Sequence, residues 1–261
     1  MTEKSIQEYD DDMNTLLEAV WGPGFASPGG TDEVDLYLQG IDLAGASVLD
    51  IGCGLGGLDV HLVKQHKVGK VTGIDIDPGL IRRCNRLAEK NGVSEQTEFV
   101  CVEPGPLPFA DASFDAVTSK DSIIHIADKH GLAADIYRVL KPGGWFAASD
   151  WLAGYDGKPS PEMQAYLIAE GFDFGIASAN TYRLAMEAAG FEDIEFVDRN
   201  EWYRDEARRE RDQLRGALYD GLESRVGAEF LEHEIDVWDK MIVVLDQGLM
   251  RPTHLRCRKP G

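Results

Sequence analysis

The stretch that decides the fold is "VLDIGCGLGG", Val48 to Gly57. It opens as an apolar run broken by one acid, the pattern of a strand buried on both faces. Gly52, Gly54 and Gly56 follow at once, and a helical periodicity covers 56–66. Glycines at a strand-to-helix turn let the backbone bend sharply and let a ligand approach the chain closely. The next strand, "KVTGID" (70–75), ends on Asp75. A carboxylate there can accept both hydroxyls of an adenosine ribose. At this point two nucleoside cofactors compete. A dinucleotide typically uses a G-x-G-x-x-G frame, whereas this turn reads G-x-G-x-G-G and is preceded by Asp50.

Working outward, short apolar runs alternate with helical patterns. A helix is expected at 78–91, strands at 97–103 and 114–120, a helix at 126–140 and a strand at 144–150. That alternation is the signature of a parallel sheet covered by helices on both faces. Helices at 4–20 and 31–41 precede it, joined by "WGPGFASPGG" (21–30), a loop dense in glycine and proline. After it come helices at 161–171 and 179–189, a strand at 193–199, helices at 205–226 and 228–247, and a final strand at 253–258. The interspersed acids and bases of 205–226 read as a solvated helix face. The expected fold is α/β: a Rossmann-like, doubly wound, mostly parallel seven-stranded sheet with N-terminal helices and a helical lid inserted before the last strand. As one domain it divides into an N-terminal cap (1–41), a cofactor-binding core (42–151), a substrate lid with C-terminal helices (152–250) and a closing strand (251–261).

The 261 residues carry a formal charge of −20, which argues against binding nucleic acid or an anionic membrane. No apolar run is long enough to span a bilayer, and the acidic N-terminus lacks a signal-peptide core, so a cytoplasmic location is expected. Cys53, Cys84, Cys101 and Cys257 have no CxxC spacing and read as thiols in a reducing compartment, with no metal site.

The series "VLDIGCGLGG", "VTGIDID", "LPFADASFDAV", "LKPGG" resembles the class I S-adenosylmethionine-dependent methyltransferases, in order and spacing, over roughly residues 40–150. The resemblance implies S-adenosylmethionine as cofactor and S-adenosylhomocysteine as product. It implies that Gly52 and Gly54 lie against the amino-acid part, that Asp75 takes the ribose hydroxyls, and that Ile76 lies beside the adenine, with Asp50 also among the cofactor-binding residues. Glu103 stands where the family usually has an aspartate for the adenine amino group.

Outside the core, "WGPGFASPGG", "SKDSIIHI" (119–126) and "ASDW" (148–151) resemble small-amine N-methyltransferases, of the phosphoethanolamine and sarcosine/dimethylglycine groups. By position this implies an acceptor-facing set of Tyr9, Asp121 and His125. Ala26 and Ser27 would meet the cofactor's carboxylate end, and Lys120 stands where the family has arginine. Chemically, an imidazole can take the proton that frees an amine lone pair. Asp128, Lys129 and His130 read as helix surface.

The departures concern the acceptor. Phosphobase enzymes of this resemblance hold phosphate with lid cations, yet no Lys or Arg occurs from Pro159 to Tyr182, and Glu170 occupies the aligned neighbourhood. A carboxylate there repels phosphate. Aromatic residues are plentiful, and aromatic faces suit methylated ammonium groups. Trp151, Tyr166, Glu170, Phe172 and Tyr182 are the expected acceptor contacts, with Lys120 or Arg183 available to a carboxylate. The expected activity is methyl transfer to the nitrogen of a small amine or amino acid, giving a betaine- or choline-type product and not a phosphobase. An S- or O-methyltransferase of a small metabolite, or a non-catalytic protein that binds the cofactor, remains as the alternative.

Overall fold

The computed structural model describes residues 10–171 and 174–261. Seven strands form one sheet: β1 (Ser47–Ile51), β2 (Lys70–Asp75), β3 (Thr97–Cys101), β4 (Phe114–Lys120), β5 (Leu140–Ala153), β6 (Glu192–Asp198) and β7 (Met250–Arg258). Their order is β3-β2-β1-β4-β5-β7-β6. Only β7 runs antiparallel, between β5 and β6. The order reverses between β1 and β4, so a crevice opens at the carboxyl ends of those two strands, where open α/β sheets bind their ligands.

One face of the sheet carries α2 (Gly30–Tyr37), α3 (Gly57–Lys64) and α4 (Pro78–Asn91); the other carries α5 (Lys129–Val139) and α7 (Ala179–Ala189). Val34, Val48, Leu62 and Val71 close the first interface, and Leu49, Val117, Ile136 and Met186 the second. Helix α4 shows why these segments are helical. Asp77 caps its N-terminus, Pro78 takes the first turn without needing an N–H, and Gly92 ends it in the left-handed region.

A third core lies over the carboxyl edge of the sheet. Helices α1 (Asp11–Trp21), α6 (Pro161–Glu170), α8 (Asn200–Arg215), α9 (Tyr219–Val226) and α10 (Ala228–Asp246) pack around Leu16, Met163, Tyr203, Leu231 and Trp238. Within 152–250, then, α7 and β6 serve the sheet, while the other helices form the cap.

Three expectations change in detail. The helix expected over 205–226 is two helices, broken at Gly216, whose ψ of −100° is not helical. The solvated face assigned to it is only one side, because Tyr203, Ala207, Glu210 and Leu214 are buried at a spacing that makes a single stripe. The helix expected from 126 starts at Lys129, since Asp128 caps it by accepting from the Gly131 N–H at 2.8 Å.

Candidate active site

Two connected spaces occupy the crevice. The larger, about 840 Å³, runs along the carboxyl ends of β1, β2 and β4. The smaller, about 80 Å³, lies under the cap. Ala26, Ser27, Asp121 and His125 line both, so they form the junction.

The glycine turn shapes the floor of the large cavity. Gly52 sits at φ +74°, and a Cβ there would fall 1.8 Å from Ser122 Oγ. Any side chain at this position collides with the turn after β4. Gly57 is as tight, because an added Cβ would meet the Gly24 carbonyl oxygen at 2.4 Å. The front loop is thereby held on α3, with the Gly57 N–H donating to that oxygen at 2.9 Å.

Asp75 accepts from the backbone N–H of Gly54 on one oxygen and of Asp77 on the other, both at 3.0 Å. Each carboxylate oxygen has a second lone pair, so the group is oriented yet still able to take two hydroxyl donors. Burial raises its pKa, against the pull of those N–H groups. Asp50 is fully buried but lines the cavity, and among the described residues neither of its oxygens has a hydrogen-bond partner. Asp59 lies beside it. Burial first, then the Asp59 and Asp75 charges, push the Asp50 pKa well up, and burial raises Asp59 likewise. Ile76, 47% exposed, offers an apolar face at the rim, and Glu103 stands exposed on the same rim. One buried carboxyl without a hydrogen-bond partner among the described residues, a side-chain-free cradle and an apolar rim fit S-adenosylmethionine, a cationic sulfonium with an ammonium and a nucleoside.

At the junction, Asp121 sits at φ +56°, a backbone conformation that costs a non-glycine residue roughly 1 kcal/mol. It is held there by its own N–H to the Ser149 carbonyl at 2.8 Å, by the Ser149 hydroxyl at 2.6 Å and by Lys120 Nζ at 3.0 Å. Lys120 also donates to Ser27 Oγ and the Pro28 carbonyl, each at 2.8 Å. All three of its donors are in use, so Lys120 ties the front loop to β4 and has none left for an acceptor's carboxylate.

His125 ends a 3₁₀ turn, Ile123–His125, and its ring lies 5.1 Å from that of Phe174. Burial, then the charge of Lys129, lower its pKa below the ordinary value. Lys129 itself is a correction to the reading as helix surface. It is 3% exposed and donates to the carbonyls of Ile123 at 2.7 Å and Ile126 at 2.6 Å, so it supports the turn from beneath. Burial lowers its pKa to about 8, against the attraction of Asp150. His130 and Asp128 are exposed, as expected, although Asp128 also touches the large cavity.

The small cavity is walled by Trp21, Trp151, Tyr166, Phe174, Tyr203 and Trp238, with Glu170 and Glu234 among them. Of the expected acceptor contacts, Trp151, Tyr166 and Glu170 are in this wall. Tyr182 and Arg183 are not. Tyr182 is buried beneath β5, where its hydroxyl donates to Asp150, and Arg183 lies over the Phe196 ring on the outer side of α7. Tyr9 and Phe172 lie outside the described residues. Sequence reasoning missed Glu234, Trp238 and Glu210. Glu210 stands behind the wall and accepts from Trp21 Nε1 at 2.7 Å, Tyr203 Oη at 2.9 Å and Trp238 Nε1 at 3.1 Å. The missed signal was an acid at a stripe position: Glu234 shares a face with Leu231, Ile235 and Trp238, and Glu210 with Tyr203 and Ala207.

Among the described residues the one cluster with metal-ligating geometry is Asp35, His61 and His66, and none of these lines either cavity. No helix among the described residues is long and apolar enough to cross a membrane.

The fold and this site are those of the class I S-adenosylmethionine-dependent methyltransferases. A methyltransferase domain model matches residues 49–148. Phosphoethanolamine N-methyltransferase 1 of Triticum aestivum is 34% identical over 208 residues, 77% of this chain and 41% of that protein. The chain therefore spans less than half the length of this curated relative. A solved phosphoethanolamine N-methyltransferase 2 of Haemonchus contortus, in complex with S-adenosyl-L-methionine, superposes with a TM-score of 0.87 at 23% identity, over 98% of this chain and 58% of that one. A Galdieria sulphuraria protein described as a sarcosine dimethylglycine methyltransferase gives 0.80 at 21% identity, over 96% of this chain and 98% of that one. At these identities the two structures speak for the fold.

Proposed function

We propose that the protein transfers a methyl group from S-adenosylmethionine to the nitrogen of a small amine that carries no phosphate. One observation carries this reading: among the described residues, the small cavity is lined by Glu170, Glu234 and aromatic rings, and by no lysine or arginine. A phosphomonoester brings a charge of about −1.5 to −2 near neutral pH, and the described lining of this cavity offers it no cation to pair with. An acceptor carboxylate is no better served, since Lys120 is already fully bonded.

The cofactor supplies a methyl group activated on a sulfonium. Asp50, Gly52, Gly54, Asp75, Ile76 and Glu103 hold it in the large cavity, and Ala26 and Ser27 border it at the junction. The acceptor nitrogen sits between Asp121 and His125. Its ammonium gives up a proton to the imidazole, which is neutral near pH 7 because burial depresses its pKa. The freed lone pair forms the C–N bond while the S–CH3 pair stays with sulfur, and S-adenosylhomocysteine leaves. Asp121, fixed on three sides, attracts the incoming cation, and the aromatic wall favours the methylated ammonium product through cation–π attraction.

The test is transfer of labelled methyl to a panel of ethanolamines, glycines, phosphoethanolamine and unphosphorylated amines. Transfer to unphosphorylated amines is expected, with phosphoethanolamine at least tenfold poorer in kcat/KM. Label appearing only on hydroxyl or thioether acceptors would contradict the nitrogen assignment.

A further inference from the structure

We propose that the end of the acceptor remote from its reacting nitrogen is a second cation: the small cavity takes a short aliphatic diamine, and Glu170 and Glu234 determine that specificity. This rests on the N-methyltransferase reading above and narrows it.

The junction fixes one end of the acceptor. A nitrogen that receives the methyl must lie where the two cavities meet, at Ala26, Ser27, Asp121 and His125. Whatever else the acceptor carries then extends under the cap, toward Glu170 on α6 and Glu234 on α10. Glu234 is 6% exposed, and no lysine or arginine pairs with it or with Glu170 among the described residues. Buried carboxyls are normally paired or hydrogen-bonded, so two facing one cavity, with no lysine or arginine lining it among the described residues, make an acidic subsite suited to a cation.

The energetics favour a cation over a hydroxyl. Burial pushes Glu170 up to about 7, against a hydrogen bond from Tyr166. It pushes Glu234 up to about 8, with the charges of Glu170 and Asp10 adding to it. Each carboxyl is therefore readily protonated near neutral pH, and a positive ligand favours its ionised form. An ammonium entering here gains a charge-assisted hydrogen bond and the aromatic faces of Trp21, Tyr166 and Trp238, whereas an alcohol gains one neutral hydrogen bond. In a short diamine, repulsion between the two nitrogens also eases loss of the proton from the reacting one.

Calorimetry in the presence of S-adenosylhomocysteine tests this with two-, three- and four-carbon diamines, each against the amino alcohol of the same length. At one length or more the diamine binds at least tenfold tighter, about 1.4 kcal/mol. Glu234→Gln and Glu170→Gln, each checked by thermal melting, bring that ratio toward one. Equal binding of diamine and amino alcohol at every length, or a ratio that survives both substitutions, overturns the inference. Labelled-methyl assays on the same compounds separate the two readings. Transfer to both kinds of amine without preference leaves the N-methyltransferase standing and removes the diamine. Tight diamine binding with no label on any nitrogen removes the N-methyltransferase reading and keeps the cation subsite.

Discussion

The indole N–H of Trp21 donates to Glu210 Oε1 at 2.7 Å, joining α1 to α8 across 189 residues of sequence. The same carboxyl takes the Tyr203 hydroxyl and the Trp238 indole. All three rings line the small cavity, so one buried acid behind the wall sets the position of half of its aromatic surface. Burial raises the Glu210 pKa, and the three donors act against that rise.

Removing this hub leaves three buried donors unpaired, each worth roughly 1–3 kcal/mol. Glu210→Ala is expected to lower the unfolding free energy by about 3 kcal/mol or more in urea titration. Glu210→Gln, which brings one acceptor oxygen and an unwanted NH2, recovers only part of it. A loss below about 1 kcal/mol for the alanine variant would contradict the hub.

Lys129→Met tests the support beneath His125. The substitution keeps the apolar stem but strips two carbonyls of their donor and removes the charge facing Asp150. Stability should fall by about 2 kcal/mol or more, and kcat should fall while cofactor affinity changes little. A variant with unaltered kcat would show that the turn holds itself.

The pH profile follows from His125. Its pKa is lowered from about 6.5 by burial and by Lys129, so kcat/KM is flat near pH 7 and falls on the acid side only below pH 6.5. His125→Asn is expected to cost about 100-fold or more in kcat. An acid limb that begins above pH 7 would assign the titration to another group.

A second pH effect concerns stability alone. Glu33, 5% exposed, accepts from His254 Nε2 at 2.7 Å and from Arg199 at 2.6 and 3.0 Å, which ties α2 to β7 and to the start of α8. Burial pushes its pKa up, but the hydrogen bonds from His254 and Arg199 outweigh it, and the net shift is downward from 4.5. A depressed carboxyl binds fewer protons folded than unfolded in that window. Its contribution is therefore complete above about pH 4.5 and is lost as pH falls through the lower folded value. Melting temperature measured from pH 7 to pH 3 should show this loss, and Glu33→Gln should remove that part of the slope. The variant should also cost about 3–5 kcal/mol at neutral pH, because two buried donors lose their counter-charge.

Much of the lining of the large cavity was legible along the chain. Gly52, Gly54 and Asp75 belong to local strand-to-helix turns, where chemistry and backbone requirement coincide within a few residues. Of the residues expected to face the acceptor, Asp121, His125, Trp151, Tyr166 and Glu170 line the small cavity, but Tyr182 turns inward to Asp150 and Arg183 outward to Phe196. One helical position separates those two residues, and about 100° of rotation decides which of them can touch anything. Lys129 was misread for a related reason, since a lysine at a helix start ordinarily projects into water.

By itself the sequence determined the parallel sheet, its order of elements and the place of the glycine turn, because burial periodicity and turn chemistry are local properties of a chain. Only the tertiary structure decided what lies under the cap. Glu170, Glu210 and Glu234 sit on three helices and meet around one small cavity, where burial shifts each of their pKa values upward. The dielectric and the neighbours that produce those shifts exist only once the helices have packed.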